Sequence, residues 1–198
     1  SAMTSGTTAY LYSIWGSSSS DVFADGNSGV ILHYSGGSLN AMTSGTTRYL
    51  RGIWGSSASD VFVVGTAGTI RHYDGTVWSS MTSGTTNDLH GVWGTSASDV
   101  FAVGVGGTVL HYDGTNWSPM DSGTTNWLRG VWGASGSDIF AVGNSGIILH
   151  YNGSAWSVMT SGTTGNLCGV WGSSGSDVFV VGASGITLHY NGSAWGIM

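Results

Sequence analysis

The chain has 198 residues and a net charge of −6; only 7% of its residues are charged, and neither Lys nor Glu occurs. An acidic chain with only four arginines and no lysine argues against nucleic acid and anionic membrane as natural partners. A single cysteine, Cys168, leaves no intrachain disulfide and no thiolate metal site. No apolar run approaches the ~20 residues that span a bilayer, and no signal peptide opens the sequence.

Glycine is abundant, at 35 residues, yet ten Trp, eight Tyr and five Phe point to a packed chain and not a disordered one. Met3, Met42, Met81, Met120, Met159 and Met198 share a 39-residue period. Trp15, Trp54, Trp93, Trp132 and Trp171 keep it, as do Phe23, Phe62, Phe101, Phe140 and Phe179. The units run over 3–41, 42–80, 81–119, 120–158 and 159–198 in one domain, and such a period marks a repeat array.

Taken in chain order, the third unit offers four short apolar segments: "LHGVWG" from Leu89, "DVFAVG" from Asp99, "TVLHYDG" from Thr108 and "NWSPM" from Asn116. All are rich in Val, Phe, Tyr or Trp and bounded by Gly, Ser, Thr or Asp, which is strand-and-turn chemistry. None has helical spacing. Four strands, A to D, per unit of this length predict an all-β propeller of five four-stranded blades over 9–39, 48–78, 87–117, 126–156 and 165–195. A solenoid would use fewer strands and a shorter period.

"HYDGTVW" (His72–Trp78) and "HYDGTNW" (His111–Trp117) resemble the Asp-box hairpins, S-x-D-x-G-x-T-W, of sialidase-type and sortilin-type propellers. The whole unit is similar to the Gly- and Trp-rich repeats of bacterial Asp-box-like propellers. The resemblance departs at the His–Tyr opening, at Asn152 and Asn191 in place of Asp, and at Leu39 in place of Trp. It implies a fold and not an activity.

Asp21, Asp60, Asp99, Asp138 and Asp177 open strand B, where a short carboxylate is expected to cap the A–B turn. His33, His72, His111, His150 and His189 recur in strand C, one per blade, too far apart to share one metal ion. They are expected to hydrogen-bond within their blades. No Ser–His–Asp or metal-ligand grouping stands outside these ladders, and a sialidase-like site would want a Glu, so neither catalysis nor a cofactor is expected.

The units differ most at two positions flanking the fixed Leu of strand A: Tyr10, Tyr49, Asp88, Trp127 and Asn166, then Tyr12, Arg51, His90, Arg129 and Cys168. Strand alternation puts both sets on one face. With Arg48 beside them, three of the four arginines fall here. One reading is a binding face for a carbohydrate or peptide, on Tyr10, Tyr12, Arg48, Tyr49, Arg51, Asp88, His90, Trp127, Arg129 and Asn166; the other is neutral divergence of a loosely constrained surface.

The repeat is cut at the same phase at both ends, without leader, cap or insertion, which fits an excised or engineered array. An open array would expose aromatic faces, so the ring is expected to close, as a five-bladed monomer or as a ten-bladed homodimer.

Overall fold

The computed structural model describes residues 3–198; Ser1 and Ala2, which with Met3 repeat the end of a strand-D segment in sequence, lie outside the described residues. Blade one holds β1 (Leu11–Ser18), β2 (Asp21–Gly26), β3 (Ile31–Ser35) and β4 (Ser38–Met42). Blade two holds β5 (Leu50–Ser57), β6 (Asp60–Gly65), β7 (Ile70–Tyr73) and β8 (Trp78–Met81). Blade three holds β9 (Leu89–Ser96), β10 (Asp99–Gly104), β11 (Val109–Tyr112) and β12 (Trp117–Met120). Blades four and five repeat this with β13 (Leu128–Ser135) to β16 (Trp156–Met159) and β17 (Leu167–Ser174) to β20 (Trp195–Ile197). Each blade is an antiparallel sheet in chain order, and among the described residues no strand is exchanged between blades.

The turns follow from local chemistry. At the A–B turn the Ser20 amide donates to Ser18 Oγ, and the same Ser–Ser geometry recurs in every blade. Serine, and not the expected aspartate, caps this turn. At the C–D turn of blade two, Asp74 Oδ1 accepts from the amides of Thr76 and Val77. Gly75, at φ +91°, supplies the left-handed step that follows. Asn152 and Asn191 accept the same pair of amides, so Asn serves as well as Asp there.

The core lies between blades. Four apolar clusters fill the four junctions, each built from two successive blades. At the first, Phe23 of blade one meets Tyr73 and Trp78 of blade two, with Leu50 and Ile53 buried beneath. Burying a leucine of this kind contributes roughly 2–3 kcal/mol. On the face of the B–C turn, the point where a Cβ on Gly29 would sit is 1.9 Å from the Thr46 carbonyl of the next blade's incoming loop. That position therefore accepts no side chain.

Of the two closures expected from the sequence, the five-bladed one within a single chain is not what the structure shows. Ile14 is 72% exposed where its counterpart Ile53 is 7%, and Val181 is 52% exposed where Val64 is fully buried. Trp171 is 61% exposed, and nothing lies within 4 Å of a Cβ on Gly185, the blade-five counterpart of Gly29. The faces of blades one and five that would meet in a closed ring are thus left without the packing seen at the internal junctions.

Candidate functional site

Five Asp–His pairs dominate the polar interior of the blades. His33 Nε2 lies 2.6 Å from Asp21 Oδ1, and Ser17 Oγ donates to Asp21 Oδ2 at 2.5 Å. The imidazole also stacks on Phe23, with centroids 4.0 Å apart and planes 9° off parallel. Strands A, B and C of a blade are thus tied through one carboxylate. Equivalent Asp–His pairs stand in all five blades. Blade four lacks the hydroxyl because Ala134 replaces the serine. Burial raises the Asp21 pKa, but the bonds from Ser17 and His33 outweigh it and hold the carboxyl below its usual range.

The variable residues behave differently. In every blade the A–B ladder slips by one residue immediately after the fixed Leu: Leu50 pairs with Gly65 and Gly52 with Val64, leaving Arg51 unpaired. Tyr12, His90, Arg129 and Cys168 occupy the same bulge. A bulge breaks alternation and re-aims the side chain. Consequently these five residues, and not the first set, line one axial cavity of about 340 Å³.

The cavity is electropositive and aromatic at its wall. The Arg51 guanidinium lies 5.6 Å from the Tyr12 ring centroid, and its Nε is buried without a protein acceptor. Arg129 Nε donates to Asn144 Oδ1 at 2.6 Å, which fixes its fork. Burial lowers the His90 pKa, Arg51 and Arg129 lower it further, and Asp88 acts in opposition. Trp127 stands edge-on to His90, with centroids 6.2 Å apart.

The first set has other work. Asp88 Oδ1 accepts the Ala67 amide of the preceding blade at 2.9 Å, and Asn166 Oδ1 accepts the Ser145 amide at 3.1 Å. Ala67 and Ser145 hold positive φ in their B–C turns, so these bonds latch one blade's strained turn to the next blade. Tyr10 and Tyr49 are exposed away from the cavity, and Arg48 lies in the neighbouring loop groove with Thr43–Thr47.

Five four-stranded antiparallel sheets set around an axis, with a cavity at the axis, define a β-propeller. No family model and no curated protein matches the chain. Among solved structures it is similar to YCF48 from Cyanidioschyzon merolae, with a TM-score of 0.71, 12% identity, 96% of this chain covered and 72% of that one. It is also similar to the WD40 β-propeller domain of Doa1, with a TM-score of 0.81 and 7% identity over 96% of this chain and 68% of that one. A structure of YCF48 bound to D1 peptide matches at a TM-score of 0.52 and 12% identity, covering 96% of this chain and 81% of that one. At these identities the likeness is one of fold.

Proposed function

We propose that this propeller is a non-catalytic binding scaffold whose axial cavity takes a peptide through a carboxylate, either an acidic side chain or a chain terminus. The observation that carries the reading is the convergence of Arg51 and Arg129, two of the chain's four arginines, with His90 on one cavity, in a chain without lysine. Guanidinium forks suit planar carboxylates, and the buried Arg51 Nε is a donor in want of an acceptor. Tyr12 in the cavity, and the half-exposed Trp127 outside it against His90, add flat surface for the peptide's apolar parts. A peptide-bound structure of the similar propeller YCF48 supports the class of ligand. The Asp-box kinship rests on the C–D turns alone and lends the reading nothing.

The test is fluorescence polarisation with labelled peptides that differ only in a free or amidated C-terminus and in Asp or Asn content. Acidic peptides should bind, and Arg51→Ala or Arg129→Ala should weaken them at least tenfold without altering the melting curve. Binding indifferent to both substitutions, or capture of glycans but no peptide on an array, overturns the reading.

A further inference from the structure

The two ends of the blade row carry the two halves of an interface that the chain already builds four times. At each internal junction the earlier blade presents a strand-A Trp and a strand-B Phe. The later blade receives them on a bare strand-A Gly, a Leu and Ile or Val of strand A, and a strand-C Tyr. The fit is close, since the Trp15 ring edge lies 2.8 Å from the Cβ position of Gly55. Blade five presents Trp171, Phe179 and Val181 with no blade against them, and Phe179 stacks only on its own His189. Blade one presents Gly16, Leu11, Ile14 and Tyr34, with no indole near Gly16.

The loops match as well. Ser5 Oγ donates to the Thr7 carbonyl at 3.1 Å, the same turn that Ser44 and Thr46 make where blade two receives Gly29. Blade one therefore already holds the shape that Gly185 lacks a partner for.

We infer that the blade-five face of one copy docks head to tail on the blade-one face of a second copy of this chain. Continuity with the internal junctions identifies the occupant: each free face is shaped for one particular counterpart, and a second copy carries it. Both faces are apolar patches rimmed by polar turns, the kind that marks an interface. The contact is heterologous, so each copy both gives and receives, and the row closes if the rotation returns on itself. Two residues set this seam apart from the internal ones. Thr187 stands where other blades have Ile or Val, and Leu39 stands where they have Trp. The seam is accordingly the weakest junction of the assembly.

Light scattering on the purified chain tests this. The wild-type mass should be at least twice 20.3 kDa. Ile14→Asp and Trp171→Asp should each give the single-chain mass, since each spoils one face of every copy. Mixed in equal amounts they should form pairs again, because one keeps the blade-five face and the other the blade-one face. A wild-type chain that stays at 20.3 kDa across concentrations overturns the inference, as does an oligomer that survives in either variant. Both residues are exposed in the single chain, so folding should persist by far-UV spectrum. The milder pair Ile14→Ser and Trp171→Ser repeats the test should either Asp variant misfold.

Discussion

The edge of the Trp54 indole lies 2.8 Å from the point that a Cβ on Gly94 would occupy, and the Asp99 carbonyl lies 2.7 Å from the same point. One blade's tryptophan thus rests on the next blade's missing side chain. Gly94→Ala should lose about 1–3 kcal/mol of stability by overpacking, and Trp54→Ala about 3–5 kcal/mol by leaving a cavity. Urea unfolding followed by tryptophan emission measures both. Gly16→Ala, with no indole against it in the single chain, should cost less.

Asp25 is fully buried, and burial raises its pKa to about 6 despite the bonds from the Ser13 hydroxyl and amide. The other four blades have Val and Gly at these paired positions. A folded-state pKa above the unfolded 3.8 means that the native chain binds the proton more tightly, so stability falls as pH rises from about 4 to about 6. The loss is about 3 kcal/mol by neutral pH. Ser13→Gly with Asp25→Val should recover much of it and flatten the pH profile in that window. A thermal melt at pH 4, 5, 6 and 7 gives the comparison, and an unchanged slope in the double variant would count against the assignment.

Blade four holds Asp138 through His150 alone, since Ala134 offers no hydroxyl. Ala134→Ser should add a bond worth about 1 kcal/mol. Conversely, Asp99→Ala strips His111 of its partner and should cost about 1–3 kcal/mol. The hydroxyl and imidazole bonds also depress the Asp177 pKa, so the stability they lend is present above the unfolded value and is lost as pH falls through the folded one. Chemical denaturation at pH 7 and pH 3 separates these contributions.

His90 is held below its ordinary 6.5 by burial and by Arg51 and Arg129. The folded state prefers the neutral ring, so acidification below the unfolded pKa costs stability. A bound carboxylate reverses that preference by pairing with the imidazolium. Affinity for an acidic peptide should therefore rise as pH drops from 7 to 5.5, and His90→Gln should abolish the rise while leaving binding at pH 7 nearly unchanged. Polarisation titrations at the two pH values decide it.

Much of the architecture was legible because period and chemistry agree at every copy: Met, Trp and Phe mark the same strand positions 39 residues apart. The site was legible only in outline. Alternation placed Tyr10 and Tyr12 on one face, whereas the bulge after Leu11 separates them, and a one-residue slip leaves no mark in a periodic pattern. The Asp–His pairs were visible as two ladders and not as one, because their twelve-residue spacing becomes contact only through the B–C hairpin. The sequence left open which of the two closures forms, within one chain or between two, for a further reason. All five units carry the same Trp and Gly, so the pattern that packs Trp15 on Gly55 does not distinguish a partner blade in the same chain from one in a second copy.

Every apolar junction in the chain joins a blade to the next in sequence, and all four are variations on one set of residues. Deleting or adding one unit in phase therefore brings together no surfaces that are not already partners. At the level of the gene, misaligned recombination between near-identical units would yield chains of four, six or seven blades whose junctions all repeat the same set of residues. Blade number in such a chain can therefore change in single steps without creating a new kind of junction.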